Sequence, residues 1–188
     1  ENGVLQELII ERSRERGLVG NIYKGEVCRV LPGMQAAFVD IGLPKAAFIH
    51  LSDLCAKDLE KKGSEVIEHY LHEGQHIVVQ VVKDPLGSKG ARLTTEISIP
   101  SRYQVYMPYA NNSGVSQRIE CEAERARLRA CLDAFRQEHN CGGFIARTAA
   151  ECVEESILIA DMTFLLKLWE SILEKIAAAK PKQFIHKD

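Results

Sequence analysis

The alternation of apolar and polar positions between residues 19 and 98 predicts a small β-sheet domain. Apolar runs of strand length are separated by turn signals at Pro32-Gly33 and Gly42-Leu43-Pro44, a pattern typical of all-β domains. The continuous apolar run from His76 to Lys83 indicates a buried strand. Five strands are predicted, over residues 20–31, 34–41, 45–50, 76–83 and 91–98. Five strands with a long polar connection between the third and fourth favour an OB-fold β-barrel.

The pattern changes after residue 98 to one that predicts a small α+β unit. Short strands are expected over residues 103–108, 115–119 and 144–146, and helical periodicity indicates a helix over 122–138. A longer helix is expected from about Ala150 to Ala179, where Pro181 stops it. Its apolar ridge consists of Leu158, Met162, Leu165, Trp169, Ile172 and Ile176. The predicted fold class is therefore α+β, with a barrel followed by this unit.

Two strand-like runs near the ends of the chain have no evident partner in the sequence. Val4–Glu11 follows a turn signal at Asn2-Gly3, and Phe184–His186 follows the long helix. We expect both runs to belong to a sheet that a longer chain completes.

Composition narrows the function classes only modestly. The formal net charge is -2, with 24 basic and 26 acidic residues, so any nucleic-acid binding must use a local patch. No apolar run is long enough to span a membrane, and the first residues do not read as a secretion signal. The six cysteines form no Cys-x-x-Cys motif. Reduced thiols and a cytoplasmic location are therefore expected.

The sequence suggests neither a metal site nor a catalytic pair. His69, His72 and His76 have helical spacing, but Gly74 and the strand expected from His76 argue against one continuous helix. No pair of acidic residues has a spacing that indicates a two-metal nuclease site. We therefore assign no catalytic residue and no metal ligand to this chain.

The predicted barrel carries aromatic residues beside basic ones, which is typical of sheets that bind single-stranded nucleic acid. Phe38 and Phe48 are candidates for stacking on RNA bases, although a phenylalanine in a barrel strand can also fill the core. Lys89 lies in the Gly87–Gly90 loop and is either a phosphate ligand or an ordinary loop lysine. Lys24 and His50 are weaker candidates for the same face.

Several motifs carry a resemblance to a known family. The barrel resembles the S-one (S1) RNA-binding domain at residues 23–25, 37–40, 47–52 and 73–75. Longer segments, at residues 21–25, 82–95, 114–120 and 144–149, resemble the RNase E/G family of endoribonucleases. The resemblance covers essentially the whole chain. Residues 31–42 and the Lys-Asp-Pro-Leu-Gly run at 83–87 are similar to the ribonuclease G branch of that family.

The resemblance implies a domain plan. Residues 1–18 would end the first piece of a split RNase H-like subdomain, and residues 181–188 would begin the second. Residues 19–98 would be the S1 barrel and residues 99–180 a "5′-sensor" domain. The Mg²⁺-binding aspartates and the Zn²⁺ link between subunits would lie in a DNase I-like region that no segment of this chain matches. The full-length protein would be a homodimer or a higher oligomer.

The resemblance also implies a site for a 5′-monophosphate at Arg147-Thr148, with backbone near Ser101 and Val105. An arginine fork suits phosphate oxygens, and the pair is expected between a strand and a helix start, where an anion is favoured. Thr148-x-x-Glu151 is equally a capping-box pattern, so the threonine has two competing interpretations. Gln117 stands where other family members have a second arginine, which predicts a less basic pocket.

The expected function is that of the RNA-binding part of an RNase E/G-type endoribonuclease, active in rRNA maturation and mRNA decay. It would bind single-stranded RNA, preferably with a 5′-monophosphate, and would not cleave alone. The alternatives are a non-enzymatic RNA-binding module of the translation or transcription machinery and a protein-interaction scaffold.

Overall fold

The computed structural model describes residues 17–55, 59 and 66–187. The predicted strand at Val4–Glu11 lies outside these residues. Along the described chain, eight strands come first, followed by a helix, a strand, a second helix and a tenth strand. The strands form two sheets, one of six strands and one of four. Among the described residues, no helix is both long and apolar enough to cross a membrane.

The first five strands close into the predicted OB-fold barrel. Their order is β1-β2-β3-β5-β4, and a further β1–β4 pairing completes the ring. The β3–β5 pair is parallel and the other pairs are antiparallel. Valine, leucine and isoleucine side chains fill the interior. The strands span Ile22–Leu31 (β1), Ala36–Asp40 (β2), Ala47–His50 (β3), His76–Lys83 (β4) and Arg92–Thr94 (β5).

The turn between β1 and β2 is tighter than the sequence pattern predicts. Pro32–Met34 forms a 3-10 turn, and Gln35 follows with a φ of 48°. Strand β2 therefore begins at Ala36 instead of Met34, because a left-handed residue cannot continue a pleated strand. Leu51–Asp53 forms a second 3-10 turn, directly after β3.

The second sheet carries both helices. Strands β6 (Ile99–Pro100), β7 (Gln104–Met107), β9 (Gly143–Ala146) and β8 (Gly114–Val115) lie side by side in that order. Strands β7 and β8 flank a turn but pair with β9 instead of with each other. Residues 116–119 are a loop, although they were predicted as strand. Helices α1 (Glu122–His139) and α2 (Glu155–Ala178) bury their apolar ridges in one core with Tyr106 and Phe144.

The predicted start of the long helix is wrong. Thr148–Ala150 forms a separate 3-10 turn, and Cys152 has a φ of 58°, so α2 begins only at Glu155. Thr148 therefore does not cap α2, and the capping-box interpretation fails. The predicted helix start directly behind Arg147-Thr148 is likewise absent.

The tail has a partner within the chain, contrary to the prediction. Gln183–His186 (β10) pairs antiparallel with the first residues of β1, and Ile185 is buried. The approach is close at Gly42, which has a φ of +84° and whose added Cβ would lie 2.5 Å from the carbonyl oxygen of Lys182. Only glycine suits both constraints. The assignment of residues 181–188 to a split RNase H-like subdomain stays a prediction.

The barrel and the α+β region share a core. Ile22 and Ile185 belong to the same buried cluster as the two helices, and Val78 packs against that cluster. Strand β4 is apolar on both faces. Val78 packs against the shared core, and Val79 and Val81 face the barrel interior. Gln80, which is 4% exposed, donates to the carbonyl oxygens of Gly20 and Ser98.

Candidate nucleic-acid interface

A row of basic and aromatic side chains crosses the outer surface of the barrel. Arg29 of β1 pairs with Phe38 of β2, which pairs with Phe48 of β3. Phe48 pairs with Arg92 of β5, and Arg92 pairs with Lys83 of β4. Directly paired residues point to the same face of a sheet. We call these five residues the aromatic row.

The two phenylalanines lie outside the barrel core. Their neighbours Ala37, Val39, Ala47 and Ile49 are buried, so strand alternation directs the phenylalanines outward. Phe38 is 36% exposed and Phe48 is half-buried. The ring centroids are 6.1 Å apart with an interplanar angle of 67°. The core-filling alternative for these residues is therefore wrong, and both rings offer surface to a ligand.

An ion pair fixes Arg92 beside Phe48. The guanidinium donates from Nε to Oδ2 of Asp53 at 3.0 Å and from Nη2 to Oδ1 at 2.9 Å. Hydrogen bonding to this carboxylate raises the pKa of Arg92 above its ordinary value. Thr94 Oγ1 donates to the carbonyl oxygen of Asp53 at 2.7 Å, which secures the turn that carries the carboxylate. A bidentate pair of this kind restricts the orientation of the guanidinium plane.

His50 caps the same 3-10 turn, Leu51–Asp53. Its Nδ1 accepts a hydrogen bond from the backbone N–H of Ser52 at 3.1 Å, so the neutral ring carries its proton on Nε2. The backbone N–H of His50 donates to Oδ2 of Asp53 at 3.3 Å. The imidazole therefore lies beside the aromatic row, two residues along β3 from Phe48.

The two candidate lysines have different environments. Lys89 is exposed and closes a turn through reciprocal backbone bonds with Leu86, three residues before Arg92. The Lys45 ammonium donates to the Gly87 carbonyl, which holds this loop against the start of β3. The RNA-binding role of Lys24 stays a prediction. Its ammonium donates to the carbonyl oxygens of Ile176 and Ala179 at 3.1 and 2.9 Å, at the end of α2 and away from the aromatic row.

A second basic site lies at the edge of the four-stranded sheet. It is an open depression of about 440 Å³. Three arginines, two hydroxyl groups and small apolar side chains line it: Arg102, Ser116, Arg118, Ile145, Ala146, Arg147, Thr148 and Ala149. We call it the arginine depression. Guanidinium and hydroxyl groups together suit the oxygens of a phosphate.

Arg147 is fixed to the turn between β6 and β7 at two points. Its backbone N–H donates to the Tyr103 carbonyl oxygen at 2.8 Å, and its Nη1 donates to the Ser101 carbonyl oxygen at 2.5 Å. Thr148 Oγ1 lies 3.3 Å from Ser116 Oγ, so the two hydroxyls share a hydrogen bond. The side chains of Arg147 and Thr148 are exposed and remain open to a ligand.

Ser101 and Val105 lie beside this site but do not line the depression. The Ser101 hydroxyl donates to Oδ2 of Asp161 on α2 at 2.5 Å, while its carbonyl faces Arg147. Val105 pairs with Ile145 across β7 and β9. Of the four predicted sensor residues, Arg147 therefore contacts Ser101 directly and is followed in the chain by Thr148. Val105 lies opposite Ile145 on the neighbouring strand.

Sequence reasoning missed part of both sites. Arg29, Arg92 and Lys83 were not singled out as site residues, and the strand register places them beside the phenylalanines. Arg102 and Ser116 line the arginine depression but were likewise not among the predicted site residues. The loop that carries Ser116 is held by Arg125, whose Nη1 donates to the carbonyl oxygens of Ser116 and Ile119 at 2.8 and 3.1 Å.

This geometry defines a class: an S1-type OB-fold barrel with an exposed aromatic row, joined to an α+β unit. Residues 18–94 match the S1 RNA binding domain, and residues 98–188 match the Ribonuclease E/G family. Together the two matches span nearly all of the chain from residue 18 to residue 188.

Individual relatives agree with these matches. Ribonuclease G from Haemophilus influenzae is 54% identical over 99% of this chain, and ribonuclease G from Escherichia coli K12 is 55% identical over 93%. Ribonuclease E from Nostoc sp. PCC 7120 is 38% identical over 98%. The resemblance to the ribonuclease G branch is thereby confirmed. The chain spans 39%, 37% and 26% of the lengths of these three relatives.

Proposed function

We propose that this chain is the RNA-binding part of an endoribonuclease, which grips a single strand on the barrel and senses a 5′-monophosphate in the arginine depression. The observation that carries the proposal is that one folded unit presents two exposed basic sites of different chemistry. One site offers aromatic faces and the other offers guanidinium and hydroxyl groups.

The aromatic row supports sequence-tolerant binding of a single strand. Every base has a π-face, so stacking on Phe38 and Phe48 requires no particular base. Arg29, Arg92 and Lys83 lie on the same face and offer charge to the phosphates between stacked bases. We assign Lys89 to a backbone phosphate next to this row, and His50 to the edge of the same surface.

The arginine depression supports recognition of a chain terminus. Ser101 takes one of the five N–H donors of Arg147, so the rest of the fork can meet a phosphate. Thr148 adds a hydroxyl donor. Arg102 and Arg118 add two charges to the lining, which offsets the charge that Gln117 fails to supply. A terminal monophosphate carries more charge than an internal phosphodiester and is therefore favoured here.

We place catalysis in a part of the full-length protein outside this chain. Among the described residues, no three His, Cys, Asp or Glu side chains come together in a way that could hold a metal ion. Mg²⁺ for hydrolysis of the phosphodiester and Zn²⁺ for a link between subunits are assigned to the full-length protein. Its role in rRNA maturation and mRNA decay, its cytoplasmic location and its assembly into homodimers or higher oligomers belong to the same proposal.

Arg147→Ala tests the phosphate site. We measure the affinity of the 188-residue chain for one RNA sequence bearing a 5′-monophosphate, a 5′-hydroxyl or a 5′-triphosphate. The wild-type chain should bind the monophosphate RNA about tenfold or more tightly than the hydroxyl RNA, as expected for hydrogen bonds to a charged group. The substitution should abolish this preference and leave binding of the hydroxyl RNA unchanged.

Arg129→Ala is the matched control, because Arg129 is an exposed arginine on α1 that does not line the depression. Equal binding of the monophosphate and hydroxyl RNAs by the wild-type chain would reject the sensor. If both variants lost the preference for monophosphate RNA equally, net charge and not the phosphate site would explain it. The same mixtures with Mg²⁺ should contain intact RNA, and metal-dependent cutting by the pure chain would contradict the placement of catalysis elsewhere.

A further inference from the structure

A chain of short contacts links helix α2 to the guanidinium of Arg147. Asp161, in the second turn of α2, accepts a hydrogen bond from the Ser101 hydroxyl at 2.5 Å. The carbonyl oxygen of Ser101 then accepts from Arg147 Nη1 at 2.5 Å. Asp161 does not line the arginine depression. It therefore stands one residue behind the surface that meets a ligand.

The turn that carries Ser101 joins β6 to β7, and two hydrogen bonds connect it to helix α2. Ser101 and Gln104 exchange backbone and hydroxyl bonds, with Ser101 N–H to the Gln104 carbonyl at 2.7 Å and Gln104 N–H to Ser101 Oγ at 3.1 Å. These bonds are internal to the turn and do not place it relative to the helix. Asp161 and the Leu158 carbonyl, which accepts from Gln104 Nε2 at 3.2 Å, provide that placement.

The single hydrogen of the Ser101 hydroxyl is committed to Asp161. The hydroxyl oxygen lies 2.9 Å from the Gln104 carbonyl but 2.5 Å from the carboxylate, and a charged acceptor is preferred over a neutral one. The hydroxyl in turn accepts from Gln104 N–H, so its orientation is fully determined. The carboxylate thereby ties helix α2 to the residue whose carbonyl oxygen accepts from Arg147.

We propose that Asp161 is a positioning residue of the 5′-phosphate site, acting through Ser101 to hold the Arg147 guanidinium in its binding orientation. This inference rests on the proposed function of the arginine depression. Holding an arginine side chain in place before the ligand arrives lowers the entropy cost of binding. Residues that hydrogen-bond to metal ligands have a comparable role in metal sites.

The sign of the effect separates positioning from simple electrostatics. A carboxylate close to an anion site repels the anion, so removing its charge should strengthen phosphate binding if Coulomb interaction were its only role. Loss of positioning should weaken phosphate binding instead. Asp161→Asn removes the charge but keeps an oxygen that accepts from Ser101, whereas Asp161→Ala removes both.

The test is the ratio of affinities for 5′-monophosphate and 5′-hydroxyl RNA, measured for variants of the whole chain. Asp161→Ala should lower this ratio roughly fivefold or more, with unchanged affinity for the hydroxyl RNA. Asp161→Asn should keep most of the ratio. Ser101→Ala keeps the carbonyl and should reproduce the loss, and the double variant should lose no more than either single one.

Glu170→Ala is the control, because it removes an exposed carboxylate from another face of the same helix. A wild-type ratio in Asp161→Ala, while Arg147→Ala abolishes the preference, would overturn the positioning role and leave the sensor intact. A higher ratio would overturn it in favour of repulsion. Equal binding of both RNAs by the wild-type chain would overturn both proposals. If Asp161→Ala does not fold, the Ser101→Ala ratio decides alone.

Discussion

At the scale of single residues, the surface of the barrel depends on strand alternation. Phe38 and Phe48 are exposed because the small or aliphatic residues beside them face inward. Their edge-on contact at 6.1 Å leaves each ring part of a face for a planar ligand. The same alternation places Arg29 and Arg92 on either side of the pair.

Phe38→Ala should weaken RNA binding without unfolding the barrel. Stacking contributes about 1–3 kcal/mol per base, so affinity for a 5′-hydroxyl RNA should fall about five- to a hundredfold. The side chain is 36% exposed, and truncating it should change the free energy of unfolding by less than about 1 kcal/mol. Fluorescence anisotropy and urea unfolding measure the two quantities.

Phe164→Ala is the matched control for this prediction. Phe164 is an aromatic residue of α2 with 57% exposure, and it lies outside the aromatic row. Its loss should leave the affinity for 5′-hydroxyl RNA unchanged. Similar losses in both variants would mean that exposed aromatic surface in general, instead of the row, binds the strand.

The sequence identified the aromatic residues of the row but not its charges. A phenylalanine in a short strand next to alanines is unusual enough to attract notice. Arg29 and Arg92 are two of 24 basic residues, and nothing in the sequence pairs them with the phenylalanines. What selects them is the register of strands that are far apart in the chain, and sequence periodicity gives facing direction without register.

At the scale of elements, one ion pair joins α1 to the loop before α2. Glu124 accepts from Arg127 Nη2 at 2.7 Å and from the backbone N–H of Cys152 at 2.8 Å. Arg127 also donates to the Val153 carbonyl at 2.9 Å. The Arg127 guanidinium and the Cys152 N–H lower the pKa of Glu124 to about 2. The pair holds the loop whose backbone breaks the long helix.

Glu124→Gln should make the stability of the chain less dependent on pH in acid. A carboxylate whose folded pKa is lowered stabilises the fold above its unfolded pKa, and this contribution is lost as pH falls toward the folded pKa. Wild-type and variant should therefore differ by about 1 kcal/mol at neutral pH, and the difference should shrink between about pH 4.5 and pH 2. Urea unfolding across that range measures it.

The control is Glu122→Gln, whose partner Arg125 lies 3.7 Å away and whose side chain is 90% exposed. It should show no comparable pH-dependent difference. A constant difference between Glu124→Gln and wild type from pH 7 to pH 2 would contradict the assignment of the lowered pKa to folding.

The elements were predictable where their signal is local. The barrel strands and α1 follow directly from periodicity and turn residues. The start of α2 was not predictable, because Thr148 and Glu151 fit a capping pattern. The chain instead forms a 3-10 turn there, followed by a left-handed residue at Cys152. That backbone follows from the contacts of the loop with α1, which no local pattern encodes.

At the scale of the whole molecule, Lys24 joins the barrel to the end of α2. Cations are favoured at the C-terminal end of a helix, where carbonyl groups lack partners. The sequence makes Lys24 a weaker candidate for the face that carries the two phenylalanines. Its contact with Ile176 and Ala179 exists only in the assembled fold.

Lys24→Met and Lys89→Met should have opposite consequences. Lys24→Met removes the donor at the helix end and should lower the free energy of unfolding by about 1 kcal/mol, with unchanged RNA affinity. Lys89→Met should weaken RNA binding and reduce its salt dependence by about one counterion, with unchanged stability. Paired unfolding and salt titrations measure both. Weaker RNA binding by a fully folded Lys24→Met chain would restore the original hypothesis for Lys24.

The pairing of β10 with β1 has a consequence for the order in which the chain acquires its structure. Nearly all of the described chain lies between Ile22 and its partner His186, and closing so long a loop is entropically costly until the intervening segments are compact. During synthesis, one side of the first residues of β1, Ile22–Lys24, therefore stays unpaired until β10 has been made. The ring of five strands closes without β10, through the β1–β4 pairing, so only this short stretch of β1 depends on synthesis of the whole α+β unit.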